Sequence, residues 1–136
     1  MNTDESKAVR QLIETFLEFS MIPDPDRAAE FLADDAVIYF TGKTEMTHPR
    51  EMAAYNSKRY AWVKKCLGPL DIAPSDDHVV AYSTGTLYGE WPDGTPFEGN
   101  SYVDRFEVRD GKITRIDVWN DSAERLLKMA NGQSEA

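Results

Sequence analysis

Apolar residues in the first half of the chain recur every three or four positions, a spacing typical of helices. Over Val9–Leu17 they form one stripe, which predicts a first helix spanning about residues 4–21. Asp24 followed by proline is a typical helix start, so we predict a second, short helix that ends near Asp34. The run Ala36–Phe40 is rich in β-branched and aromatic residues and predicts the first strand.

A third helix is predicted from Thr47-His48-Pro49 to the helix-ending pair Gly68-Pro69. Its inner face would carry Met52, Tyr55, Arg59, Trp62 and Cys66.

Beyond Pro69 the apolar positions alternate with polar ones, a period typical of strands. The turn sequences at 91–95 and 109–112 are rich in Gly, Asp and Pro, so they predict an antiparallel meander. A closing helix over Ser122–Ala130 is predicted from its acidic capping pattern. The predicted fold class is therefore α+β, with helices packed on a strongly curved, mainly antiparallel sheet. Its later strands are Leu70–Ala73, His78–Glu90, Phe97–Val108 and Ile113–Trp119.

The chain has 136 residues, which suits a single domain over 1–136 with a core at about 5–130 and a tail at 131–136. Its apolar fraction of 41% is sufficient for a packed core. One cysteine cannot form an internal disulfide, and with the two histidines it shows no metal-site spacing. We therefore predict neither a metal nor a cofactor.

Charge and hydropathy narrow the class of partner. With 24 acidic and 15 basic residues the net charge is −9, which disfavours nucleic acid. Apolar runs stay well short of the roughly 18 residues of a membrane span, and the first residues are polar and acidic, unlike a secretion signal. We expect a cytoplasmic protein whose partner is a hydrophobic small molecule, with no nucleic acid and no membrane.

Two separated segments resemble one known family. The segment Tyr102–Ile113, with Trp119-Asn120-Asp121 after it, is similar to the signature hairpin of SnoaL-like proteins, which belong to the nuclear transport factor 2-like superfamily with ketosteroid isomerase. The segment Asp24–Ala36 resembles the same family's second helix and first strand. The resemblance implies a cone-shaped α+β barrel, an apolar pocket inside it, and a homodimer. Trp119 and Val103 fall on the outer face and suit a dimer interface.

Within such a cone, function depends on the side chains that point inward. Neighbours along a strand alternate between faces, so an inward Asp104 places every second residue of its strand inward too. An inward Thr84 would do the same for Tyr82 and Tyr88. The substrate-binding candidates are Phe16, Ile38, Phe40, Tyr55, Arg59, Tyr82, Thr84, Tyr88, Asn100, Tyr102, Ile116, Val118 and Asn120.

The resemblance also indicates which chemistry the chain lacks. Ketosteroid isomerase combines a carboxylate base with a tyrosine and a protonated aspartic acid, a case in which the roles of the groups are well defined. The resemblance aligns its base with Phe40, its tyrosine with Phe16 and its aspartic acid with Asp104. Positions that hold the water in limonene-epoxide-hydrolase-like proteins also lack the needed groups. These are Ile38, Phe40, Thr84, Thr86 and Val118.

Asp104 and His48 are the catalytic candidates. An inward carboxyl group could donate a hydrogen bond or exchange a proton, unless Asp104 only pairs with Arg59 or Arg105. His48 precedes the third helix, where it could act at the pocket mouth or only cap the helix. Any single tyrosine candidate could instead be ordinary cross-strand packing.

Three functions are compatible with these residues. The first is a cofactor-free acid–base enzyme of isomerase, cyclase or dehydratase type acting on a hydrophobic polyketide- or terpenoid-like molecule, with Asp104 as proton donor or shuttle. The second is a non-catalytic protein that binds a hydrophobic small molecule on the same fold. The third is protein association through the outer face of the sheet.

Overall fold

Within residues 2–132, which are those that the computed structural model describes, four α-helices accompany a six-stranded sheet. The helices are α1 (Thr3–Met21), α2 (Pro25–Ala29), α3 (Pro49–Arg59) and α4 (Ser122–Ala130). Side chains just before three of them accept a backbone N–H and so satisfy one of the free donors of the first turn. These capping residues are Asn2, Asp24 and His48.

The sheet is curved and mixed, with strand order β2-β1-β6-β5-β4-β3. All neighbouring pairs are antiparallel except β1 and β6, which are parallel. This architecture confirms the predicted α+β class with a mainly antiparallel sheet. The strands are β1 (Leu32–Phe40), β2 (Thr44–Met46), β3 (Trp62–Pro74), β4 (Val79–Glu90), β5 (Pro96–Arg109) and β6 (Lys112–Asn120).

The third helix was predicted to reach Gly68-Pro69, and this prediction is wrong. Helix α3 ends at Arg59, and Trp62–Pro74 forms the long edge strand β3. Pairing with β4 along nearly its whole length outweighs the helical spacing of apolar residues in this segment. Gly68-Pro69 lies at an interruption of that pairing, and Cys66, expected on the inner helix face, is exposed.

The boundaries of α2 and β1 also differ from those predicted. Helix α2 ends at Ala29, and β1 already begins at Leu32, which pairs with Ile113 of β6. The short strand β2 was not predicted, because three residues are too few to show a period.

The core lies between α1 and the concave face of the sheet. Ile13, Phe16 and Leu17 are buried, and the Phe16 ring meets Phe106 of β5 edge to face at 6.0 Å between centroids. On β5 the residues Asn100 to Val108 of even number are all buried, so the predicted inward face of this strand is confirmed. The same holds for Ala36, Ile38 and Phe40 on β1.

On β4 the predicted facing is wrong by one residue. Ser83 pairs directly with Asp104, and directly opposed residues in an antiparallel pair share a face. Ser83 and Leu87 therefore point inward, whereas Tyr82, Thr84 and Tyr88 lie on the outer face. Periodicity alone gives two equivalent phases for a strand, and here the pairing with β5 selects the other one.

No helix in the described residues is both long and apolar enough to cross a bilayer.

Candidate functional site

A cavity of about 250 Å³ opens beside the core, between α3, the segment after α1 and the first residues of β3. Its wall is mostly apolar. Its apolar residues include Met21, Phe40, Met52, Val63, Leu87 and Val118. The polar groups on the wall include Ser20, Asn56, Tyr60, Lys65, Tyr102, Asp104 and Asn120.

An ion pair lies in this cavity. The Nζ of Lys65 donates to Oδ2 of Asp104 at 2.6 Å. The Asp104 side chain is only 2% exposed and that of Lys65 19% exposed. Since an ammonium group can only donate, Oδ2 of Asp104 is the acceptor in this contact. The pair thus places two opposite charges side by side against an apolar wall.

The sheet positions both members of the pair. Asp104 points inward from the middle of β5, and Lys65 points inward from β3 because it pairs with the buried Leu87 of β4. The backbone N–H of Lys65 contacts Sδ of Met21 at 3.3 Å, and its ammonium lies 5.0 Å from the Tyr102 ring centroid. One contact to its backbone N–H and two to its ammonium group therefore hold the lysine in place.

The second oxygen of Asp104 has no partner. Its Oδ1 is buried and forms no hydrogen bond within the described residues. An unpaired buried acceptor is costly, because it has lost its hydration without replacement. Asp104 borders the cavity, so a bound molecule that reaches Oδ1 would find a free acceptor there.

Two tyrosines add hydroxyl groups to the wall. The hydroxyl of Tyr102 shares a hydrogen bond of 2.9 Å with Ser83, and that of Tyr60 donates to Ser122 at 2.7 Å. Burial raises the pKa of both phenols above the ordinary value, and it outweighs the opposite effect of these hydrogen bonds. Both groups are therefore neutral phenols at physiological pH.

Asn120 is a further polar side chain of the wall with an anchored orientation. Its Oδ1 accepts the backbone N–H of Ser122 at 3.1 Å, at the start of α4. The amide NH₂ forms no hydrogen bond within residues 2–132, so it is the donor that Asn120 offers to a molecule in the cavity. Asn120 pairs with Tyr102 across the sheet, and Tyr102 lies two residues before Asp104 on the same face of β5.

The structure brings five of the predicted site residues to the cavity and separates the others from it. Phe16, Ile38 and Ile116 are packed in the core. Tyr55 packs edge to face on Phe40 at 4.8 Å, with Arg59 over its ring. The cavity-lining residues are Phe40, Tyr102, Asp104, Val118 and Asn120.

Other candidates lie elsewhere. Asn100 is fully buried and donates to Ser122 at 3.0 Å, and it does not border the cavity. His48 uses its Nδ1 to accept the Arg50 N–H at 3.0 Å, so it caps α3 and does not border the cavity. Tyr82, Thr84 and Tyr88 lie on the outer face, as described above.

Sequence reasoning missed Lys65. The ion-pair partners considered for Asp104 were Arg59 and Arg105, yet Arg105 points outward and contacts Glu107 at 2.6 Å. Lys65 falls in the segment assigned to the third helix, which concealed its facing. Apolar and polar residues do not alternate over residues 62–67, so periodicity gave no signal for a strand there.

No group of three or more His, Cys, Asp and Glu side chains in the described part of the chain is arranged to hold a metal ion.

Comparison with known proteins identifies relatives by domain and by fold. A family model described as SnoaL-like domain matches residues 9–116. None of the curated proteins matches the sequence.

Solved structures share the fold at low sequence identity. An NTF2-like protein of unknown function from Burkholderia pseudomallei has a TM-score of 0.70 and 15% identity, covering 88% of this chain and 95% of its own. TerC, crystallised with polyporic acid, has a TM-score of 0.68 and 16% identity, covering 86% and 94%. ActVI-ORFA from Streptomyces coelicolor has a TM-score of 0.66 and 14% identity, covering 88% and 98%. At these identities the similarity is one of fold.

Proposed function

The chain belongs to the SnoaL-like domain family, and from this premise we propose that it is a cofactor-free acid–base enzyme of isomerase, cyclase or dehydratase type. Its substrate would be a hydrophobic molecule of polyketide or terpenoid character. The observation that carries the proposal is the Lys65–Asp104 ion pair, which borders the cavity with one carboxylate oxygen unpartnered.

In this proposal Asp104 is the proton acceptor. Lys65 donates to Oδ2, while Oδ1, which has no donor within residues 2–132, would take a proton from a bound molecule. The sequence alone favoured Asp104 as proton donor or shuttle, by analogy with the protonated aspartic acid of ketosteroid isomerase. The hydrogen bond that Oδ2 accepts from the Lys65 ammonium group supports the acceptor role proposed here.

Removing a proton from carbon leaves negative charge on a neighbouring oxygen, and donors in the cavity would stabilise it. The candidates are the Asn120 amide, held by its contact with Ser122, and the Lys65 ammonium beside the base. Fixed donors in a mostly apolar site interact strongly with developing charge, since little water screens them. Proton removal next to a carbonyl is a step that isomerisation, cyclisation and dehydration can share.

The wall supports a hydrophobic substrate. Phe40 and Val118 stand where relatives carry polar catalytic groups, according to the resemblance, and here they enlarge the apolar surface. TerC, which shares the fold, was crystallised with the small molecule polyporic acid. These features support binding of a small organic molecule as the first step of the reaction.

The proposed chemistry can be tested by hydrogen exchange. 2-Tetralone, a two-ring ketone, is incubated with the protein in D₂O, and loss of the proton signal next to the carbonyl is followed by NMR. We expect the wild type to accelerate exchange and Asp104→Asn to reduce the acceleration about 10²- to 10⁴-fold, the usual contribution of a general base. Asp77→Asn, at an exposed ion pair with Arg109, is the matched control and should exchange at the wild-type rate.

An equal rate for Asp104→Asn and the wild type would contradict the assignment of the base. If the wild type binds 2-tetralone and related ketones without any acceleration, the non-catalytic binding protein becomes the better interpretation.

We also propose that the protein is a homodimer that pairs through the outer face of the sheet. Three large side chains on that face are exposed in the monomer: Tyr82 at 37%, Tyr88 at 36% and Trp119 at 46%. Exposed aromatic residues on one sheet face are typical of protein interfaces.

A further inference from the structure

On the basis of the acid–base function proposed above, we propose that the cavity selects compounds of one or two rings that donate a hydroxyl or enol group to Asp104 Oδ1. Two independent observations lead to this substrate class: the unpartnered buried oxygen defines the polar group, and the size of the cavity defines the ring system.

The polar requirement follows from the hydrogen bonds around Asp104. Oδ2 is engaged by Lys65 at 2.6 Å, and Oδ1 has no donor within residues 2–132. The nearest hydroxyl on the same strand face, that of Tyr102, is engaged with Ser83. A ligand with a hydroxyl group satisfies Oδ1, whereas a ligand without a donor displaces any water and leaves a buried charged acceptor unpaired.

The size requirement follows from the volume of the cavity and from the close packing of the side chains around it. A closed apolar cavity of about 150 Å³ holds one benzene ring, so 250 Å³ corresponds to roughly two fused rings. Phe16, Ile38 and Ile116 are packed in the core and do not border the cavity. A four-ring compound exceeds the cavity volume and would have to displace packed side chains of the wall, which is costly in a close-packed interior.

Three probes separate the two requirements. 2-Naphthol has two rings and a hydroxyl donor, 2-methoxynaphthalene has the same rings without the donor, and 1-hydroxypyrene has the donor on four rings. Dissociation constants are measured at pH 7 by isothermal titration calorimetry. We expect 2-naphthol to bind wild type roughly ten- to a hundredfold more tightly than 2-methoxynaphthalene, the range for a hydrogen bond to a charged group. 1-Hydroxypyrene should show no binding to the cavity.

The variant that tests the origin of this preference is Lys65→Met/Asp104→Leu, which replaces both charges together and leaves neither unpaired. It should bind both naphthalenes with similar affinity. The control is Arg109→Met/Asp77→Leu, which removes an exposed ion pair of 2.9 Å in the same way and should keep the wild-type preference.

Equal binding of the two naphthalenes by wild type, a preference that persists in Lys65→Met/Asp104→Leu, or tight binding of 1-hydroxypyrene would each overturn the inference. These results are separable from failure of the proposed function. If the protein accelerates hydrogen exchange on 2-tetralone but binds both naphthalenes equally, the proposed acid–base function stands and the proposed substrate class is wrong. If it prefers 2-naphthol but accelerates no exchange, the ligand preference stands and the proposed acid–base function is wrong.

Discussion

Replacing Lys65 by methionine tests whether the Lys65–Asp104 contact is a buried ion pair. The substitution keeps a long, flexible side chain and removes the ammonium group, which leaves the Asp104 carboxylate 2% exposed and without its partner. Deleting one member of a buried pair costs about 3–5 kcal/mol, because the remaining charge is desolvated and uncompensated. Since the Lys65 side chain is still 19% exposed, some water screens the pair. We therefore expect Lys65→Met to lower the free energy of unfolding by about 3 kcal/mol.

The reverse deletion should cost less. In Asp104→Leu the ammonium of Lys65 remains beside the open cavity, where it can reach water by rotating its flexible side chain. The double variant Lys65→Met/Asp104→Leu removes both charges, so its stability should return to within about 1 kcal/mol of wild type. The two single losses therefore add up to more than the loss in the double variant, and the difference is the coupling energy of the pair.

Urea unfolding at pH 7 of the wild type, the two single variants and the double variant measures this coupling. A destabilisation under about 1 kcal/mol for Lys65→Met, together with no coupling to Asp104, would refute the reasoning. It would mean that the carboxyl group is solvated or protonated in the folded protein and that the lysine does not define its state. The slope of the free energy against urea should remain unchanged, which verifies that the same transition is compared.

Three further predictions concern other parts of the molecule. Burial raises the pKa of the Tyr60 and Tyr102 phenols, so the folded state holds these protons more strongly than the unfolded state. Stability should therefore fall as the pH rises above about 10, and urea midpoints between pH 9 and 11 should fall less in Tyr60→Phe. Phe16→Ala should cost about 3–5 kcal/mol in the same assay, because Phe16 is 1% exposed against Phe106. Trp119→Glu should convert a dimer to monomer in sedimentation velocity, with unchanged circular dichroism; an unchanged sedimentation coefficient would exclude the outer face as the interface.

Local periodicity was sufficient to predict an element wherever its pattern depends on residues that are close in sequence. The stripe of α1 and the turns that separate β4, β5 and β6 followed from spacing along the chain. Each of these depends on residues close in sequence, so the regular repeat of a helix or strand is visible without knowledge of the partners.

The same reasoning failed at β3 and β4, where long-range pairing decides. Trp62–Pro74 has apolar residues at helical spacing, but a β4 partner is available along almost its whole length, so a strand forms. The phase of β4 likewise depends on Ser83 standing opposite Asp104, and a shift of one residue exchanges its two faces.

The sequence by itself determined the fold class and, apart from β2, the order of the elements. Only the tertiary structure decided that Asp104 points inward and pairs with Lys65, that Phe16, Ile38 and Ile116 are packed in the core, and that the cavity lies beside α3. The reason is physical: β3 and β5 do not neighbour each other in the sheet, since β4 lies between them. The meeting of Lys65 and Asp104 therefore depends on two successive strand registers and on the curvature of the sheet, none of which is encoded in a local repeat.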